Sequence, residues 1–150
     1  MRIINNEVEY IKGKKIYPFN KKFIDRLKKN ASRNKSGKYR TCLHKSVKDS
    51  VHEMIVVHTN KTYVKPHKHF NKSETLHVIE GKATVIIFDN NGKIKQKFKI
   101  GDYKSGYPFL YKMEKNIYHS FIFHSKYFVF KETTKGPFDI KKTKSQNWKF

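Results

Sequence analysis

The chain has 150 residues, with 34 Lys plus Arg against 12 Asp plus Glu and a formal net charge of +22. Hydrophobic residues make up 37% and aromatics 15%, which is enough for the core of one folded domain and argues against wholesale disorder. No apolar run reaches the roughly 20 residues of a membrane-spanning helix, and residues 1–10 lack the pattern of an export signal. The lone cysteine, Cys42, excludes an intrachain disulfide and any Cys-based zinc site, so a cytoplasmic protein is expected.

The basic residues are nearly all Lys and are dispersed; the only arginines are Arg2, Arg26, Arg33 and Arg40. That distribution reads as a solvated coat. Without interleaved Arg clusters or a nucleic-acid motif, nucleic acid is not the expected partner.

In chain order, residues 1–50 form an extension of mixed character with one short helix. Asn20 can cap it, Phe23, Ile24 and Leu27 share a face, and Lys28 and Lys29 suit its C-terminal end. Residues 30–38, rich in Ser, Asn and Gly, read as a loop. From about His52 the pattern changes to short β-branched and aromatic runs. Strands are expected over 52–58, 62–65, 75–80, 83–89, 93–100, 107–113, 118–124 and 127–132, with turns at Asp89-Asn90-Asn91-Gly92 and Glu80-Gly81-Lys82. Eight closely spaced strands without intervening helices indicate an antiparallel β-barrel or sandwich spanning 51–135. Within 93–100 the four lysines alternate with other residues and share one solvent face. Residues 136–150 form a basic tail that can be mobile or can dock through Trp148 and Phe150.

The residues that carry chemistry begin at Pro66. His67 and His69 on a strand point to one face with Cα atoms roughly 7 Å apart, close enough to converge on one metal. Glu74 follows after a turn as an oxygen ligand, and His119 is available from a later strand. Three imidazoles and a carboxylate suit one divalent transition metal, Fe, Mn, Ni, Co or Zn, with open positions for water or substrate. Alternation back from His67 places Lys65 and Tyr63 as candidate proton donors, with Pro66 a break in that alternation. Arg40, with its planar fork, is a candidate for phosphate or carboxylate recognition, and an ordinary ion pair is the competing reading. Cys42 reads as a small buried residue.

His67-x-His69-x4-Glu74-x6-Gly81 resembles the first motif of the cupin superfamily, and His119 sits where the second motif supplies its histidine. That second motif departs from the usual form: Glu114 stands in place of a Pro and Asn116 in place of a Gly. Asn tolerates a left-handed backbone and can keep the turn. More narrowly, the region from about Phe23 to Phe138 resembles the WbuC family of cupin-fold metalloproteins. The matching pieces include Tyr39-Arg40-Thr41-Cys42-Leu43-His44, Tyr63-Val64-Lys65-Pro66-His67-Lys68-His69 and Gly136-Pro137-Phe138.

The resemblance implies an all-β cupin jelly roll with a short N-terminal helical extension. It also implies a metal site of His67, His69, Glu74 and His119, with Arg40 and His44 in the stretch expected to bind substrate. The implied activity is on a sugar or nucleotide-sugar intermediate of bacterial surface polysaccharide biosynthesis, by isomerisation or epimerisation. A small Fe(II)-dependent dioxygenase and a non-catalytic metal- or ligand-binding module remain alternatives. A small anionic substrate is the expected partner. A homodimer is expected by analogy, with the aromatic run of Tyr118, Phe121, Phe123, Tyr127, Phe128 and Phe130 suiting an interface or a barrel interior equally.

Overall fold

A computed structural model describes residues 1–150 as two facing sheets. The seven-stranded sheet contains β1 (Arg2–Asn5), β2 (Val8–Tyr10), β3 (Lys38–Cys42), β4 (Val51–Thr59), β6 (Glu74–Glu80), β9 (Leu110–Met113) and β11 (Tyr127–Lys135). Its order is β1-β2-β3-β4-β11-β6-β9. The five-stranded sheet contains β5 (His67–His69), β7 (Lys82–Phe88), β8 (Ile94–Gly101), β10 (Tyr118–Phe123) and β12 (Thr143–Ser145), in the order β12-β5-β10-β7-β8. All strand pairs are antiparallel except β2 with β3. The expected all-β jelly roll is therefore present.

The single helix α1 (Lys21–Arg33) begins as expected, with the Asn20 side chain accepting a hydrogen bond from the Phe23 amide at 3.1 Å. It extends into the expected loop at 30–33, because Leu27 and Ala31 both pack, fully buried, against Tyr39, Ile55, Val57 and Val129. The N-terminal residues supply three strands whose brevity hid them in the sequence. Residues 62–65 form no strand.

Two turns need particular backbones. Gly81 has φ +92°, and a β-carbon there would run into the Tyr127 carbonyl. Asn116 has φ +68° and donates its backbone N–H to the His69 carbonyl at 2.7 Å, so the Asn in the Gly position keeps the turn and joins the two motifs. β8 is an edge strand, and its lysines point to solvent. Phe123, Phe128 and Phe130 lie in the barrel core. The tail docks: β12 pairs with β5, and Trp148 packs on Tyr118 and Phe88 with ring centroids 4.8 and 5.7 Å away.

Candidate metal centre and its cavity

The interior between the sheets holds a cavity of about 310 Å³. Strand register arranges its wall. Tyr10, Cys42, Met54, Glu132, Leu76 and Tyr111 face one another in a single row across the large sheet, and all six line the cavity. The neighbouring row carries His52, Thr134 and Glu74.

His67 and His119 face each other across β5 and β10, and His69 follows on β5. The donor atoms of these three imidazoles lie within 4.8 Å of one another. Each Nδ1 is held from outside: His67 by the Lys65 carbonyl at 2.8 Å, His119 by the Ile117 carbonyl at 3.0 Å and His69 by Thr143 Oγ1 at 2.8 Å. A carbonyl only accepts, so His67 and His119 carry their proton on Nδ1 and turn the bare Nε2 to the centre. That tautomer is the one a metal requires. Burial, reinforced by the neighbouring imidazoles, pushes His67 down to about 3 and lowers His119 as well, so both are neutral at physiological pH.

Glu74 reaches two of the three, with Oε1 3.0 Å from His69 Nε2 and Oε2 3.6 Å from His119 Nε2; Lys72 Nζ lies 3.4 Å from Oε1. Burial opposes its charge, but the hydrogen bond from His69 and the nearby Lys72 ammonium outweigh it and hold the carboxyl well below the usual range. Three imidazole nitrogens and an ionised carboxylate on the wall of a cavity fit a divalent metal ion.

The sequence-derived residues separate into two groups. Arg40 and His44 line the cavity, as do the four candidate ligands. Tyr63 and Lys65 do not. Tyr63 is 59% exposed and donates its hydroxyl to the Trp148 carbonyl at 3.3 Å, while Lys65 projects to solvent and contributes only its carbonyl, to His67. Their expected roles as proton donors are corrected for a physical reason. Alternation needs a continuous strand, and around Pro66 there is none, so Val64 faces the cavity instead.

Glu132 and Tyr111 were not singled out from the sequence. Glu132 lies beside Glu74; burial first, then the Glu74 charge, push its carboxyl up to about 7. Burial also raises the Tyr111 hydroxyl. A single Glu within Phe130-Lys131-Glu132-Thr133 was the only available signal, because it falls on the inward parity of β11 where a hydrophobic residue is the norm. His44 stacks on His52 with centroids 3.9 Å apart, and burial lowers both. Cys42 is buried, and burial pushes its thiol up, leaving it inert.

Residues 19–100, more than half of the chain, match the family described as "Domain of unknown function (DUF6016)". Comparison with curated proteins gives no match. Among solved structures, a protein from Shewanella oneidensis superposes with a TM-score of 0.64 at 10% identity, covering 81% of this chain and 83% of that one. Oxalate decarboxylase from Lactobacillus farciminis, solved as a formate complex, gives 0.52 at 17% identity over 66% of this chain. Pumpkin seed globulin gives 0.51 at 17% over 64%. The chain spans about a quarter of the decarboxylase and globulin chains, 27% and 23%. At these identities the likeness establishes the cupin fold alone.

Proposed function

The chain belongs to the family described as a domain of unknown function, DUF6016, so its activity has to come from the cavity, and we propose a metal-dependent cupin enzyme acting on a small anionic substrate. The observation that carries this reading is the set of three imidazoles with every Nδ1 anchored from outside. His67, His69, His119 and Glu74 would hold the ion, which when bound polarises a carbonyl or hydroxyl oxygen. The manganese(II) centres of Bacillus subtilis oxalate decarboxylase, which shares this fold, make manganese one candidate beside iron, cobalt, nickel and zinc.

The remaining chemistry falls to residues of the cavity wall. The Glu132 carboxyl, buried beside Glu74, is placed to hold or move a proton, and the Tyr111 hydroxyl is available to bond a substrate oxygen. Arg40 on β3 and His44 just after that strand line the cavity and are available to an anionic substrate. Such a site suits proton transfer next to a carbonyl, as isomerisation or epimerisation requires. The resemblance to WbuC proteins supports a substrate from surface polysaccharide biosynthesis. A cavity of about 310 Å³ lies at the lower end of the roughly 300–1,000 Å³ of small-molecule sites, which favours a single sugar unit over a whole nucleotide sugar.

Incubating the metal-loaded protein in D2O with sugars and sugar phosphates tests this. Deuterium incorporated next to the carbonyl, and lost in Glu132→Gln, is the expected result. Oxygen uptake that depends on added Fe(II), without any such exchange, would replace the isomerase with a dioxygenase.

A further inference from the structure

His58 is the polar residue that the metal centre leaves unexplained. It is 9% exposed, lines the cavity, and lies parallel to Phe123 and Phe130 with ring centroids 4.9 and 5.6 Å away. Neither ring nitrogen has a hydrogen-bond partner. Nδ1 is one of only three buried side-chain polar atoms left unsatisfied in the protein. Such an atom is costly in a stable fold, on the order of 1–3 kcal/mol. With Nδ1 enclosed without an acceptor, the proton of the neutral ring belongs on Nε2, which is left to donate.

Arg40 is the second group at this end. It lies on the cavity-facing side of β3, opposite Val56 and diagonal to His58, is exposed to solvent while lining the cavity, and has neither an ion pair nor a side-chain hydrogen bond. In a chain where Lys serves nearly everywhere for solubility, this guanidinium fork is free to meet an anion that enters the cavity. Along β10, His119 and Phe121 line the cavity, and Phe123 beyond them stacks on His58, which lines it too. Four residues at about 3.3 Å each separate the two ends by ~13 Å of strand. Between them lie the aromatic faces of Phe121 and Phe130 and the polar groups of Glu132 and Tyr111. A sugar ring stacks its C–H face on aromatics and offers hydroxyls to such groups.

We propose that Arg40 and His58 form a second, metal-independent end of the cavity that binds an anionic oxygen group. The substrate is then an acidic monosaccharide, with its carbonyl or hydroxyl end at the histidine trio and its carboxylate or phosphate at Arg40 and His58. This rests on the cavity being the substrate site, and it narrows the anionic substrate to one that is charged at the end away from the metal. His58 is kept neutral by burial, down to about 3, so it acts as a hydrogen-bond donor and not as a charge.

Calorimetric titration with hexuronates, hexose 6-phosphates and the corresponding neutral hexoses tests the proposal on both metal-loaded and metal-free protein. The acidic sugars are expected to bind at least tenfold more tightly than the neutral ones in both forms. Whichever of uronate and phosphate binds more tightly identifies the anionic head. Arg40→Gln and His58→Phe should each abolish the preference while metal content is unchanged; Phe keeps the aromatic stack, so folding is preserved. Equal binding of acidic and neutral sugars, no binding of either, or a preference that survives both substitutions would overturn the inference. Absence of metal from the wild-type protein would instead overturn the metal reading, and the preference in metal-free protein would still stand or fall separately.

Discussion

Each histidine of the trio depends on the atom behind it. The carbonyls of Lys65 and Ile117 are fixed by the backbone, but the His69 anchor is a removable side chain, Thr143 Oγ1. Thr143→Val is therefore expected to weaken metal binding about 10–100-fold, the usual cost of losing an outer-shell partner, with little effect on folding. Competition against a chelator of known affinity measures it. The trio itself was legible in the sequence because His-x-His spacing on a strand is a local pattern. The Thr143 anchor was not, since it lies 74 residues from His69 and meets it only through pairing of two three-residue strands. Glu132 was hidden for a related reason: its neighbours in space, Met54 and Leu76, come from different strands. Tyr63 and Lys65 show the opposite failure, in which a local alternation was carried across a proline.

At the level of elements, the N-terminal helix is tied to the barrel by an ion pair from Arg26 to a buried carboxylate as well as by its apolar face. Glu9 on β2 is 1% exposed, receives both arms of Arg26 at 2.9 and 2.6 Å, and accepts further bonds from Thr41 at 2.6 Å and Tyr39 at 3.3 Å. Removing Arg26 would strand the buried Glu9 charge, so Arg26→Ala is expected to destabilise by about 3–5 kcal/mol, measured by urea unfolding. The helix itself could be read from Asn20 and the Phe23-Ile24-Leu27 face, whereas β1 to β3 could not, because strands of three to five residues leave too little alternation to detect. The tail is the other structural addition. Deleting residues 143–150 removes β12, the His69 anchor and Trp148 over Tyr118 and Phe88 together. That deletion should lower both thermal stability and metal affinity, whereas Thr143→Val should lower only the second.

For the whole molecule, the excess of Lys lies mainly outside the cavity, and the interior sets the response to pH. His58 titrates near 3 in the folded metal-free protein against an ordinary 6.5. Between those values the unfolded chain binds more protons, so stability rises with pH by at most about 1.4 kcal/mol per unit and is complete above about 6.5. Glu132 acts in the opposite direction. Its folded value near 7 exceeds the ordinary 4.5, so the folded state binds more protons between them and stability falls as pH rises through that window. His58→Phe should therefore flatten the loss of stability toward pH 4, and Glu132→Gln should remove the decline between about 4.5 and 7. Urea midpoints at pH 4, 6 and 8 separate the two effects. The overall β-barrel was evident from the spacing of runs and turns, but the partition of strands between two sheets depended on contacts that no local pattern encodes.

The central claim is that His67, His69, His119 and Glu74 hold one metal ion. Elemental analysis of the purified protein beside the His67→Ala, His69→Ala double variant tests it most directly. About one equivalent of a divalent transition metal is expected in the wild type, held against mild chelation, and almost none in the variant. Equal metal content in both proteins, or none in the wild type after reconstitution, would contradict it.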